Sequence, residues 1–396
     1  MIAISFAADR ALLQIIHVHC KCNCTWVQVV DGVSRTLNRL VNDLQRRGYR
    51  VLVLAPHADP PALEHYGMLL PVPALTIPFR PEYSAATGID YCTREVLAEH
   101  NPSLVHIATP DYLGQQVQKW AMEHNLPIGC SYHTRFASYL PYYVGTGSVL
   151  TAVDGGLWRW LAYFYNNCDQ VYPPTKRVGR EITDHGVQTP MKIWPRGIDL
   201  TAFNVDYRSE EARAEWGVQP NEVVVLFASR MVWEKNVRVY INTMNYLIEQ
   251  KVPVKPLVVG AGPALAKVRE ELKNAIILGH QGGSNLSTAF ASSDVFFFPS
   301  TTETWGNVAL EAMASGTTVV CARGPGGSEL VVHNTTGFLV DVNDPEDCTR
   351  GLQKLVEDSA LRKRLAANAL AAIMSEQAYT WHHVTDMLVG HYDELN

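Results

Sequence analysis

Short apolar runs alternate with helical patterns through the second half of the chain, and this alternation limits the fold more than any other feature. The runs lie at 223–229, 256–260, 275–279, 294–300, 317–322 and 337–340. Helical patterns fall near 236–250, 263–273, 285–292, 307–315 and 345–358. Strands alternating with helices imply an α/β fold with a parallel, doubly wound sheet. Runs that are apolar on successive residues fit strands covered on both faces. The first half repeats the rhythm less cleanly. Strands are expected at 51–56, 104–108, 128–132 and 170–173, and helices near 33–47, 82–99, 111–124 and 156–167. The polar, turn-rich stretch 197–221 is the expected interdomain linker, and beyond residue 359 the chain reads as helical. A length of 396 residues accommodates two domains of ordinary size. Two such domains facing each other leave a cleft between their strand ends, and ligands favour domain interfaces.

Composition excludes several classes. A net charge of −6 argues against a general nucleic-acid binder, which needs a basic face. No apolar run approaches the roughly 18–20 residues that span a bilayer. The apolar stretch 11–18 lacks the basic start and small-residue cleavage pattern of a signal peptide. The expectation is a soluble, cytoplasmic chain, with membrane contact at most peripheral. Cys92, Cys130, Cys168, Cys321 and Cys348 read as reduced core residues. Cys20, Cys22 and Cys24 form a C-x-C-x-C cluster, but no second ligand cluster stands at a spacing that suits a metal.

Residues 300–316, STTETWGNVALEAMASG, carry the strongest chemical signal. Glu303 lies in a turn after an apolar run, and Glu311 follows inside a helical pattern that opens near Gly306 and Asn307. A strand, turn and helix place a carboxylate at the strand's carboxyl end, where open α/β sheets bind ligands. The free N–H groups of the helix start favour phosphate. Carboxylates repel phosphate unless they hold sugar hydroxyls, so one site suited to both suggests a nucleotide sugar. Glu311 sits in an otherwise apolar stretch and needs a partner there. Arg230 and Lys235 follow the run 223–229 and suit a diphosphate, Arg by a two-pronged grip and Lys as a point charge. Taken alone, they read as a solvated loop with a salt bridge to Glu234.

Other motifs leave alternatives open. Gly32, before the helical pattern 34–44, lets backbone approach a ligand or serves only as a turn. His133, at the end of the strand 128–132, can donate to a sugar or phosphate oxygen or be an ordinary histidine. Gly260 and Gly262 follow a strand, but position 265 is leucine and no acidic residue ends the next strand at the required distance. NAD binding there is rejected. The turn Gly324-Pro325-Gly326-Gly327 can wrap a phosphate or simply turn. No Walker-type phosphate loop is present.

Taken together, these residues resemble the retaining glycosyltransferases of family 4, which have the GT-B fold. The resemblance runs from Val29 to the end of the chain. It rests on Glu303-x7-Glu311, Arg230-x4-Lys235, Gly260-x-Gly-Pro263, Pro195-Arg-Gly-Ile-Asp199, the motif VHIATP at 105–110 and TGFL at 336–339. The motifs VDGVS at 30–34 and SYHT at 131–134 are most similar to the branch of lipid α-mannosyltransferases and sulfoquinovosyl-diacylglycerol synthases. The resemblance implies two Rossmann-like domains: 1–200 on the acceptor side, with a helix 378–396 packing back on it, and 201–377 on the donor side. It implies that Arg230 and Lys235 neutralise the donor diphosphate, with Gly32, Gly279, Asn307 and Val308 close to the donor. Glu311 is expected to hold the ribose, Glu303 the transferred sugar, and His133 to sit beside that sugar. The implied reaction moves a mannose- or glucose-type hexosyl group from a GDP- or UDP-sugar to a lipid or small-molecule hydroxyl. No metal is expected, and no nucleophile is assigned. Acceptor recognition is expected on loops such as 135–147, rich in Tyr and Phe. At the start the chain departs from similar enzymes. Either a strand at 13–18 is followed by a lengthened loop, or the gene start is misread. A sugar-nucleotide epimerase or hydrolase, or a catalytically impaired relative of the same fold, are the competing readings.

Overall fold

A computed structural model describes residues 2–4, 32–56, 65–77, 80–135, 137–138, 148–376 and 379–395. The cysteine cluster at 20–24, the expected strand at 13–18, Asp31 and most of the loop 135–147 lie outside them. The chain divides into two units, Met1–Gly197 with Trp381–Asn396, and Ile198–Thr380. The borders expected from sequence were 200/201 and 377/378.

The second unit is built on six strands: β9 (Val223–Ala228), β10 (Val254–Val259), β11 (Ile276–Gly279), β12 (Val295–Phe298), β13 (Thr318–Ala322) and β14 (Gly337–Val340). They pair in the order β11-β10-β9-β12-β13-β14, and every pairing is parallel. β9, β12 and β13 are buried along their whole length, as strands with helices on both faces must be. The helix Val237–Glu249 buries Val237, Tyr240, Ile241, Met244 and Leu247. That spacing forms one apolar stripe, and the Tyr240 hydroxyl donates to the Val225 carbonyl at 2.7 Å. The helix Pro345–Glu357 starts with Asp344 as its cap and proline at its first position, where the missing N–H costs nothing. The two units divide at the start of the segment read as a linker, which from Ile198 on belongs to this unit. It carries the helix Glu210–Glu215, and Phe203 packs edge-on against Phe290.

The first unit holds β1 (Ile2–Ile4), β2 (Val51–Pro56), β3 (Met68–Val72), β6 (Leu104–Ile107), β7 (Ile128–Ser131) and β8 (Gln170–Tyr172), in the order β3-β2-β1-β6-β7-β8. A separate hairpin joins β4 (Ala74–Ile77) to β5 (Arg80–Ala86). β1 runs antiparallel to both β2 and β6, and the other pairings in the sheet are parallel. The helix expected over 82–99 is corrected by this fold. Its first part is β5, and the helix occupies Tyr91–His100 behind an Asp90 cap. Cys92 is exposed rather than in the core, whereas Cys130, Cys168, Cys321 and Cys348 are buried. No helix among the described residues is long and apolar enough to cross a membrane.

The last helix, Trp381–Asp393, returns to the first unit and is tied into its core. Tyr392 is fully buried and its hydroxyl meets His106 Nδ1 at 2.5 Å, while His106 Nε2 meets the Ser131 hydroxyl at 2.6 Å. The Trp194 indole donates to the Val384 carbonyl at 3.1 Å. Tyr392→Phe keeps the ring packing and deletes the bond to a buried imidazole. It is expected to destabilise the chain by about 1–3 kcal/mol, read as a lower urea midpoint at unchanged slope.

Candidate functional site

In the second sheet the strand order reverses between β9 and β12, so the loops leaving their carboxyl ends diverge to opposite faces and open a crevice. The loop after β9 carries Arg230 and Lys235, and the loop after β12 carries Glu303. Sequence separates Lys235 from Glu303 widely, and the pairing of β9 with β12 brings them together.

The Lys235 ammonium donates to Glu303 Oε1 at 2.5 Å, with side chains only 8% and 21% exposed. Ser300 Oγ donates to the same carboxylate oxygen at 3.0 Å. Burial pushes the Glu303 carboxyl up. The Lys235 charge and hydrogen bond, the Ser300 hydroxyl and the Arg230 charge outweigh it, and the net shift is below the ordinary glutamate range. The plain alternative was a solvated loop with a salt bridge to Glu234; here Lys235 is buried and pairs with Glu303 instead of lying in solvent. Glu234 is buried, and its backbone carbonyl accepts from the Thr302 hydroxyl at 3.2 Å.

Backbone geometry fixes both loops. Asn236 is left-handed at φ 53° between the single 3-10 turn Trp233–Lys235 and the helix that follows. Its side-chain amide donates to the Pro299 carbonyl at 2.8 Å, joining the two loops. Backbone contacts also hold the motif at 260–263 against the loop after β9. Met231 N–H donates to the Ala261 carbonyl, and Ala264 N–H donates to the Met231 carbonyl, both at 2.9 Å. A Cβ at Gly262 would lie 2.5 Å from the Met231 carbonyl oxygen. The turn 324–327 is likewise a close packing of backbones. A Cβ at Gly326 would lie 2.7 Å from Glu303 Cβ and 2.8 Å from the Trp305 carbonyl oxygen.

The helix Asn307–Ala314 starts behind Gly306 at φ 95°, and no side chain caps its first turn. The Asn307 amide oxygen is buried without a hydrogen-bond partner among the described residues. Val308 and Glu311 are half-buried on the same helix. A helix start left uncapped by side chains, in the segment whose Glu303 pairs with Lys235, suits an anion. Carboxylates one loop and one turn further suit hydroxyls. Gly279 ends β11 at φ 70° and accepts from Gly260 N–H at 2.7 Å, at the sheet's edge rather than at its reversal point. Among the described residues no group of three or more His, Cys, Asp and Glu is placed to hold a metal ion.

The remaining candidates belong to the first unit. Gly32 is the exposed first residue of the helix Gly32–Arg46, and the loop before it lies outside the described residues. His133 follows β7 and is buried. Arg196 Nη2 lies 2.9 Å from its Nδ1. Sequence reading placed Arg196 only within a motif and missed this contact.

Two family models cover most of the chain: Glycosyltransferase Family 4 matches residues 30–202, and Glycosyl transferases group 1 matches residues 208–371. The GDP-mannose-dependent alpha-mannosyltransferase of Mycolicibacterium smegmatis is 30% identical over 372 residues, 92% of this chain and 94% of that protein. The sulfoquinovosyl transferase of Arabidopsis thaliana is 27% identical over 369 residues, 90% of this chain and 69% of that protein. The fold matches that of the Anabaena HepE structure in complex with UDP and glucose, with a TM-score of 0.74 at 18% identity, over 96% of this chain and 99% of that one.

Proposed function

Since the chain belongs to family 4 of the glycosyltransferases, we propose that it moves a mannose- or glucose-type hexosyl group from a nucleotide-diphosphate sugar to a hydroxyl of a lipid or small-molecule acceptor, with retention and an α linkage. The observation that carries this reading is the Lys235–Glu303 pair, with Arg230 beside it, at the reversal point of the second sheet. Transfer builds positive charge on the sugar ring and negative charge on the departing diphosphate. Lys235 and Arg230 are fixed cations in place before the reaction starts, which is the arrangement that lowers a barrier electrostatically. The N–H groups of Asn307 and Val308 add to the same anion site. Glu311 takes the ribose hydroxyls, Glu303 the hydroxyls of the transferred sugar, and Gly32 of the first unit and Gly279 of the second let backbone approach the donor closely. His133 serves the sugar. These residues bear the phosphate charge in this reading without a resident metal.

A relative that bears the name of a GDP-mannose-dependent mannosyltransferase supports a sugar nucleotide as donor, and one named alpha-monoglucosyldiacylglycerol synthase, from Streptococcus pneumoniae, supports a lipid acceptor. The deciding experiment is a thermal-shift screen of GDP- and UDP-sugars. A donor at 100 times its Kd stabilises the native state by about 2.7 kcal/mol, so one base and sugar should raise the melting point well above the others. A flat response to every sugar nucleotide, together with no transfer product, overturns the assignment.

A further inference from the structure

Arg196 and His133 are both buried in the first unit, at 4% and 7% exposure, and their contact decides which proton the histidine carries. Arginine has donors and no acceptor. With Arg196 Nη2 2.9 Å from His133 Nδ1, Nδ1 must present its lone pair, and the ring proton must sit on Nε2. The guanidinium's other partners are the Trp194 carbonyl, which accepts from Nη1 at 2.8 Å, and the Trp194 indole face, 4.6 Å below its carbon. No carboxylate pairs with Arg196 among the described residues. Burial lowers the guanidinium to about 9, so it remains a cation at neutral pH. A second positive charge on the adjoining imidazole would place donor against donor and cation against cation in a buried site. The Trp194 ring packs edge-on to His133, with ring centroids 5.9 Å apart.

We propose that Arg196 is a positioning residue: it holds His133 as a neutral imidazole protonated on Nε2, so that His133 acts toward the transferred sugar as a hydrogen-bond donor and not as a base. The inference rests on the glycosyltransferase reading for its consequence, and on the first unit alone for its geometry. It divides two roles that residue type leaves open, since a histidine can be donor, base or acid depending on its partner. It also gives the arginine of the 195–199 motif a task separate from the diphosphate-binding cations Arg230 and Lys235. Lysine at position 196 keeps a donor and a charge but loses the fork and the flat stacking surface.

The test is nitrogen-15 spectroscopy of the histidine rings, with His133 assigned by the signal lost in His133→Gln. The wild-type protein is expected to show His133 as a single neutral Nε2–H tautomer at neutral pH. Arg196→Met should release it to a mixture of tautomers and imidazolium, and Arg196→Lys should restore the wild-type form in large part. A wild-type His133 protonated on Nδ1 overturns the proposal without any variant having to fold. The kinetic arm measures donor turnover. Arg196→Met is expected to lower kcat about tenfold or more with little change in KM for the donor, and to add nothing further in a His133→Ala background. Independent, additive losses would reduce Arg196 to a packing residue and overturn the proposal. Should the wild-type protein turn over no sugar nucleotide, the function assigned above fails, whereas the spectra still decide the tautomer.

Discussion

Lys235→Ala is expected to lower kcat/KM for glycosyl transfer by about 10³-fold, the upper end for removing one fixed group that stabilises developing negative charge. The protein should still fold. The carboxylate that Lys235 leaves behind keeps Ser300 and the Arg230 charge as partners. Because Glu303 is partly exposed to solvent, the cost of its lost partner falls below that of a fully buried charge. Two causes of inactivity must be told apart: loss of the cation, and disorder caused by an orphaned carboxylate. The double variant Lys235→Ala with Glu303→Gln removes the orphaned charge. If the missing cation is the cause, activity stays low in the double variant; recovery there would assign the loss to the orphan. Glu311→Ala should abolish transfer as well, through the donor's hydroxyls rather than its phosphates. Unchanged turnover in both Lys235→Ala and Glu311→Ala would remove this site from the chemistry. Transfer is measured as product formed per enzyme, and folding by far-ultraviolet circular dichroism.

The second unit was legible because its strands are buried on both faces and so are written as unbroken apolar runs, such as VFFF at 295–298. Each is followed by a loop and a helix with its own stripe, so the positions of Arg230, Lys235, Glu303 and Glu311 relative to strand ends could be read directly. Their pairing could not. Lys235 meets Glu303 only because the fourth strand of this unit inserts beside the first, and strand order is a property of the whole sheet. The first unit was less legible for a related reason. β5, RPEYSAA, has little β-branched content and exists as a strand because Ala74–Ile77 pairs with it. β3, MLLPV, contains a proline and sits at the sheet's edge, the place where proline is tolerated. β1 is three residues long, too short for any period to register. Arg196 illustrates the limit most sharply. Nothing local says that this arginine is buried, and its partner His133 is far away in sequence.

Gly260→Ala is expected to be the most damaging single methyl group that can be added to the second unit. Gly260 sits at φ 135°, and a Cβ there would lie 1.8 Å from the Ser229 carbonyl oxygen. That neighbour is backbone, so no side-chain rotation relieves the clash. Gly260 N–H also donates to the Gly279 carbonyl at 2.7 Å, so moving the residue away from Ser229 breaks the link to β11. The left-handed conformation alone costs a non-glycine residue about 1–3 kcal/mol, and the overlap adds to it, for an expected loss of about 3 kcal/mol or more. The strain falls on the segment that carries Arg230 and Met231, whose N–H bonds Ala261. Donor affinity should therefore weaken even at temperatures where the variant remains folded. Gly217→Ala is the matched control. Gly217 is also left-handed, at φ 72°, but nothing lies within 4 Å of its would-be Cβ, so its cost is the conformational one alone, about 1 kcal/mol. Denaturant titration of both variants separates the terms. If Gly260→Ala proves no worse than Gly217→Ala, the loop bearing Arg230 does not pack against the 260–263 turn, and the fixed position of that cation loses its structural basis.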